Sequence, residues 1–373
     1  MNDMNEQHEH AADSADMSTP VTLADIAKAT GFSQMTVSNA LRGKPNVSTA
    51  NRERIRQVAR EMGYQANAAA MMLRNRRSGI IQVVVDDFEV PFHARIAKYL
   101  TQEAVRHGYQ AVVRQSSSSE REEIRAIRPD PGLVYDGIIL DAPNITEDQV
   151  IGHVQGKPAL VIGDCASFTR VDSMDTACVD GVTEAVEHLW RQGCRSFRIF
   201  GAQRPSGQSS AHETGKGFGV RRTAAIEETL RAHGIELAAA QRMDCEWTMA
   251  GGRDATRLML DDPAWKADVA AGRCVGIVCL SDVIALGALG TLAAAGVAVP
   301  GMAKITGFDG IEMTKYTNPP LTTVEMDVPA MARTVMRRMI AMVEARAKGE
   351  PIPPTSHESI PYRLIPRASS VLS

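Results

Sequence analysis

The sequence predicts a small all-α headpiece followed by a larger, doubly wound α/β core. Three observations lead there. Three short capped helices crowd into residues 21–64, positive charge gathers in residues 21–77, and seven apolar strand candidates alternate with helical stretches from residue 80 onward. A chain of 373 residues with 44% hydrophobic content is long enough to bury more than one core.

Residues 1–20 carry five acids (Asp3, Glu6, Glu9, Asp13, Asp16) and no Lys or Arg, and they end in Ser18-Thr19-Pro20. They read as a disordered acidic tail with no assigned function. His8 and His10 flank Glu9, but a solvated stretch accounts for them better than a metal site.

The first helix opens at Thr22, an N-cap with Asp25 three residues on. Leu23, Ile26 and Ala27 form its apolar face, and Gly31 ends it. Ser33 caps the second, in which Val37 and Leu41 face inward while Gln34, Met35, Ser38 and Asn39 project from the other side; Gly43 and Pro45 stop it. Val47 and Ser48 introduce the third, whose Ile55, Val58, Ala59 and Met62 keep one face apolar until Gly63. Two helices joined by a short turn, the second exposing polar side chains, is the geometry that sets a recognition helix in the major groove. A generic three-helix bundle fits the periodicity equally. Residues 21–77 hold ten Lys/Arg against Asp25, Glu53 and Glu61, a local +7 in a chain of net charge −3, so the cations lie where phosphate contacts would need them.

Beyond the headpiece, Ile80–Asp86, Gln110–Arg114, Gly137–Asp141, Ala159–Gly163, Phe197–Gly201, Val275–Leu280 and Lys304–Phe308 are the strand candidates. Helical stretches separate them, as βαβ units require. Six cysteines without a CxxC pair read as reduced, buried thiols, although Cys274 and Cys279 are near in sequence. No signal peptide precedes the first structured residue and no apolar run approaches about 18 residues, so the expected location is the cytoplasm. No metal cluster, Gly-rich phosphate loop or nucleophile with a traceable base points to an enzyme, and no cofactor is expected.

The run Val21-Thr22-Leu23-Ala24-Asp25-Ile26-Ala27, then Gly31-Phe32-Ser33, Thr36-Val37-Ser38, Asn51-Arg52-Glu53-Arg54-Ile55 and Gly63-Tyr64, resembles the headpiece of the lactose/galactose repressor (LacI/GalR) family. The resemblance continues in order through Asp136-Gly137-Ile138-Ile139-Leu140, Asp180-Gly181, Gly217-Phe218, Ser281-Asp282, Gly307-Phe308-Asp309 and Pro319-Pro320-Leu321-Thr322-Thr323-Val324, covering residues 21–369. It implies an N-terminal all-α helix-turn-helix headpiece with a hinge helix, plus an α/β core of two doubly wound parallel-sheet lobes, periplasmic-binding-protein-like. The implied layout is a tail to residue 20, the DNA-binding domain 21–66, the hinge 67–78 and the core 79–373. Within the core, lobe 1 takes about 79–178 and 326–353, and lobe 2 about 179–325 and 354–373.

What the resemblance implies about DNA sorts by residue. Thr22, Ser33, Thr36, Ser38, Ser48 and Asn51 match positions that hold phosphates, alongside or instead of capping helices. Gln34, Met35 and Asn39 match the face that reads base edges, with Arg42 and Asn46 completing the DNA-facing set. Asn39 stands where many relatives carry Arg, which weakens a preference for guanine at the facing base pair. Asn67, Ala70 and Leu73 match the hinge that orders in the minor groove when two subunits meet, Leu73 being the wedge that kinks the duplex. Ala66 replaces the usual proline, Met71 and Met72 replace residues that are often polar, and an apolar linker helix packed on the core is the alternative reading.

The resemblance further implies a homodimer bound to palindromic operator DNA, usually a repressor, controlled by a sugar or nucleoside-like effector between the lobes. Trp247, in Trp247-Thr248-Met249-Ala250-Gly251-Gly252, matches an aromatic pocket position, and a core Trp is the competing role. Asp141, Ser281, Asp282 and Asp309 follow strands where cleft contacts are expected, or cap the next helix. Phe88 and Phe92 supply an opposite wall or pack beneath it, and Asp164 joins the set. His212, Glu213 and Thr214 stand where many relatives carry Arg before the Gly217–Phe218 pair, which favours a neutral ligand and leaves His212 and Thr214 as contacts. The rival functions are a sugar-binding protein without gene control and an enzyme on the same fold.

Overall fold

The computed structural model describes residues 21–64, 77–117, 119–128, 133–141, 144–163, 168–203 and 218–371. The tail, hinge residues Asn67, Ala70, Met71, Met72 and Leu73 with Ala66, and the expected contacts Asp164, His212 and Thr214 lie outside the described residues. The chain divides into two compact units at 75/76.

In the first unit α1 (Leu23–Thr30), α2 (Gln34–Leu41) and α3 (Thr49–Glu61) start where their caps require. Thr22 and Asp25 form a capping box: the Thr22 N–H donates to the Asp25 carboxylate at 2.8 Å, and Thr22 Oγ1 accepts the Asp25 N–H. The hydrogen bond that Thr22 Oγ1 donates to the Asp25 carboxylate, and then the one from the Thr22 N–H, lower the Asp25 pKa. Ser33 and Ser48 accept the Thr36 and Asn51 N–H groups in the same way. Gly31 has φ 75°, a left-handed conformation that lets α1 turn directly into α2. Ile26, Val37, Ala40, Val47, Ile55 and Ala59 close the small core. Arg52 ties down the α2–α3 loop by donating to the Lys44 and Val47 carbonyls. Ser38 does not project outward but is 7% exposed, because a rotation of about 100° per residue places it beside inward-facing Val37.

The strands of the second unit are, in chain order, β1 (Ile80–Val85), β2 (Gln110–Gln115), β3 (Gly137–Asp141), β4 (Ala159–Gly163), β5 (Asp172–Asp175), β6 (Ser196–Phe200), β7 (Arg242–Met243), β8 (Val275–Cys279), β9 (Ala303–Asp309), β10 (Thr322–Met326), β11 (His357–Ser359) and β12 (Tyr362–Ile365). They form two six-stranded sheets, ordered β11-β5-β4-β3-β1-β2 and β12-β10-β9-β8-β6-β7. Every pairing is parallel except β12 against β10. Helices α4 (Pro91–Arg106), α5 (Glu120–Ile127), α6 (Glu147–Val154) and α12 (Val328–Lys348) belong to the first lobe. Helices α7 (Cys178–Arg191), α8 (Phe218–Ala232), α9 (Met249–Asp261), α10 (Pro263–Ala270) and α11 (Asp282–Ala294) belong to the second. The Asp136 carboxylate fixes the start of the core by accepting the Ser78 and Gly79 N–H groups at 2.7 and 2.8 Å.

The seven strand candidates all appear, with each end within one residue of its expected place. The third lobe boundary is displaced. Residues 357–359, expected in lobe 2, pair with β5 in the first sheet, so the chain crosses between lobes before α7, before α12 and before β12. Buried Asp172 holds that segment in place: it accepts Arg338 Nε at 2.7 Å and the Ser356 N–H at 2.9 Å. No helix among the described residues is long and apolar enough to cross a membrane.

Candidate nucleic-acid interface and ligand cleft

In the headpiece, Gln34 and Met35 stand exposed on the first turn of α2, Met35 at 74%. Asn39 is half-buried, and its side-chain Oδ1 accepts from the Arg42 guanidinium at 3.1 Å while Arg42 Nε donates to the Ser38 backbone carbonyl at 2.9 Å. The pair fixes the Asn39 rotamer and brings a guanidinium to the end of the face where the sequence has no Arg at position 39. Thr22, Asn46, Ser48 and Asn51 are exposed, Ser33 is exposed, and Thr36 is half-buried with its hydroxyl 2.9 Å from Ser33 Oγ. The capping serines therefore sit at helix N-termini, where backbone N–H groups favour anions.

In the core, charged side chains from both lobes gather beyond the carboxyl ends of the strands. From lobe 1 come Asp86 after β1, His93 in the first turn of α4, Asp141 at the end of β3 and Asp175 at the end of β5. From lobe 2 come Arg222 on α8, Trp247, and Asp309 at the end of β9. His93 Nδ1 lies 2.6 Å from Asp141 Oδ2. Burial alone would strip the His93 proton, but Asp141, then Asp86 and Asp309, overcome it and raise the imidazole to about 9. Asp309 is itself pushed up to about 7 by burial, against the pull of Arg222, His93 and the Asp282 N–H. Its φ of 116° places a non-glycine residue in strained backbone, a feature that concentrates at functional sites. Arg222 donates to the Leu280 carbonyl at 2.5 Å, with its guanidinium 3.8 Å from the Phe308 ring and 5.5 Å from that of Trp247. Across the lobes, Arg95 donates to the Gly310 carbonyl at 3.1 Å, and Arg221 lies 3.5 Å from Asp175.

The structure separates the expected contacts. Asp141 and Asp309 face the charge cluster. Asp282 is 0% exposed and takes a different role: its carboxylate accepts Thr323 Oγ1 at 2.6 Å and the Ile311 N–H at 2.9 Å, bracing the turn that carries Asp309. Gly307 is required beneath it, since a Cβ there would lie 2.2 Å from Asp282 Oδ1. Ser281 caps α11 and is 3% exposed. Phe92 packs in the core, Phe88 is 45% exposed, and Trp247 is half-buried with Nε1 donating to the Gly201 carbonyl at 3.1 Å. Sequence reasoning missed His93, Asp86, Asp175, Arg95 and Arg222. For Arg222 the signal was present, but on the other side of the Gly217–Phe218 pair from where an Arg was sought.

Residues 22–67 match the family described as bacterial regulatory proteins, lacI family, and residues 186–370 match the periplasmic binding protein-like domain. The transcriptional repressor CytR of Escherichia coli (strain K12) is 27% identical over 334 residues, covering 89% of this chain and 92% of that protein. The chain belongs to the LacI family. Within that family the fold is shared with the lac repressor dimer bound to operator and the anti-inducer ONPF, at TM-score 0.77 and 22% identity over 95% of this chain and 100% of that one. It is shared also with the regulator CelR in complex with cellobiose, at TM-score 0.64 and 24% identity over 94% and 99%. As a LacI-family member the chain is a DNA-binding transcriptional regulator with a ligand-binding type of core, and not an enzyme.

The buried histidine gives the core a pH signature. Folded, His93 keeps its proton up to about pH 9, whereas an unfolded histidine releases it near 6.5. The stabilisation is therefore complete below pH 6.5 and disappears as pH rises through 9. All three tryptophans, Trp190, Trp247 and Trp265, lie in the core, so their fluorescence reports core unfolding. The melting temperature should fall steadily from pH 6.5 to 9, and His93→Gln should flatten that slope; an equal slope in the variant would contradict the assignment.

Proposed function

We propose that this LacI-family regulator is a cytoplasmic, homodimeric repressor whose affinity for palindromic operator DNA is set by a neutral sugar, or a nucleoside-like molecule, bound between the core lobes. In this reading Thr22, Ser33, Thr36, Ser38, Ser48 and Asn51 set register on the phosphates, Ser38 through its helix position, while Gln34, Met35, Asn39, Arg42 and Asn46 face the base pairs. Asn67, Ala70 and Leu73 of the hinge (67–78) meet the minor groove when two subunits share an operator, Leu73 as the wedge between base pairs. The effector is met by Asp141, Asp309 and Trp247, joined by His93 and Arg222; Phe88, Asp164, His212 and Thr214 complete the set.

The observation that carries the ligand class is charge pairing. His93 lies on Asp141, Arg221 on Asp175, and Arg222 between Asp175 and Asp309. These three cations each already face a carboxylate, so an anionic ligand would have to compete with Asp141, Asp175 and Asp309 for them. Hydroxyl groups, by contrast, can donate to the carboxylates and lie against the Trp247 face.

A melting-shift screen of neutral sugars, nucleosides, sugar acids and sugar phosphates tests this. A binder at about 100 times its dissociation constant stabilises the core by about 2.7 kcal/mol, and the stabilising compounds should be neutral. Stabilisation by sugar acids or phosphates alone would contradict the reading.

A further inference from the structure

At the opposite end of the second sheet from the cleft, two cysteines and a lysine meet. Cys194 follows α7 and precedes β6, Cys274 immediately precedes β8, and Lys304 lies on the adjacent strand β9. β6 and β8 run parallel with Phe197 opposite Gly276, and a Cβ built on Gly276 would lie 3.3 Å from Cys194 Cβ. Strand alternation puts Cys274 on that same face, two residues before Gly276, so the two thiols are neighbours that perturb each other's ionisation. Cys194 is fully buried, whereas Cys274 is partly exposed, with Sγ 3.8 Å from the Pro300 carbonyl oxygen.

The lysine gives the pair its chemistry. Lys304 is 5% exposed and its ammonium donates to the Gln192 carbonyl; among the described residues no carboxylate forms an ion pair with it. A buried cation without an anion is costly, and ionising an adjacent thiol supplies one. The surrounding charges agree in sign, since Arg195 acts on Cys194 alongside Lys304, and Lys304 and Arg191 both act on His188. Cys194, with Lys304, draws the Cys274 thiol down to about 7 in spite of burial, while Cys194 itself is raised.

We propose that Cys274 and Cys194 form a redox-active pair that a hydroperoxide oxidises to an intramolecular disulfide. The Cys274 thiolate attacks one peroxide oxygen: an S–O bond forms, the O–O bond breaks, and sulfur loses two electrons to the peroxide. For hydrogen peroxide the leaving hydroxide takes the Cys194 proton and departs as water. The Cys194 thiolate then attacks the Cys274 sulfenic sulfur, forming S–S as S–O breaks. The second hydroxide recovers the proton that Cys274 had released and leaves as a second water. Two thiols and one hydrogen peroxide thus give one disulfide and two waters. The crosslink joins the α7–β6 turn to the α10–β8 turn at the amino ends of the strands, so the cleft is left open.

The test uses the full chain, treated with one to two equivalents of hydrogen peroxide near neutral pH and digested without reduction. Mass mapping should show a peptide pair joined through Cys194 and Cys274, lighter by two hydrogens and separated by a reductant. In Cys194→Ser the reaction should stop at a Cys274 sulfenic acid that dimedone captures; in Cys274→Ser, Cys194 should stay reduced at the same dose. Mapping of the unmodified sequence needs no variant to fold and is sufficient to decide. Oxidation of other cysteines first, or a Cys274 sulfinic acid without crosslink, would overturn the proposal.

Discussion

Asp141→Ala should destabilise the core by about 3 kcal/mol at pH 7 and abolish effector binding. His93 is charged in the folded core only because Asp141 lies 2.6 Å away and outweighs burial. Removing one member of a buried pair costs about 3–5 kcal/mol when the remaining charge is trapped. Here the imidazolium can escape by losing its proton, which sets the cost near the lower end of that range. Tryptophan fluorescence during urea unfolding reads it directly. At pH 9.5, where His93 is neutral in both states, the wild-type and variant cores should converge. A penalty that stays the same at pH 9.5 would mean that Asp141 acts through packing and not through the histidine's charge.

Ile55→Ala should remove operator binding while leaving the core untouched. The buried centre of the headpiece core is Ile26, Val37, Ala40, Val47, Ile55 and Ala59, with partly buried side chains such as Leu23, Phe32 and Leu41 packed around it, and Ile55 is fully buried within it. Truncating a buried Ile costs about 2–5 kcal/mol, against the roughly 3–5 kcal/mol that a single core supplies to a domain of this size. Apparent affinity scales with the folded fraction, and a dimer needs both headpieces, so operator affinity should fall at least about tenfold. Because every tryptophan lies in the core, its melting curve should superimpose on that of the wild type. Unchanged operator binding would show that the three helices do not form the DNA interface.

How far these residues were legible in the sequence follows from how local their causes are. The caps Thr22, Ser33 and Ser48 act within three residues, so the headpiece helices could be placed from their neighbours alone. The seven apolar strands carried enough β-branched residues to stand out. Short or polar strands did not: β5, Asp172-Ser173-Met174-Asp175, is buried because Arg338 and Ser356, more than 160 residues away, satisfy Asp172. The same separation hid the core site. Asp309 was visible at the end of its strand, but its partner His93 reaches it only through the meeting of two lobes, and Arg222 only from a helical position more than 80 residues earlier in the chain. Asp282 shows the converse, since its position at the start of α11 suggested a ligand contact while its bonds to Thr323 and Ile311 make it a support.

Control of headpiece DNA binding by ligand occupancy of the core is tested most directly by one titration. Fluorescence anisotropy of the full chain on a palindromic duplex from its own promoter region, at fixed salt, should give specific binding well above that for random duplex. Adding the neutral compound that stabilises the core should then shift the operator dissociation constant by at least about tenfold, and Asp309→Ala should erase that shift while operator affinity persists. A dissociation constant indifferent to a compound that demonstrably binds the core would contradict the account.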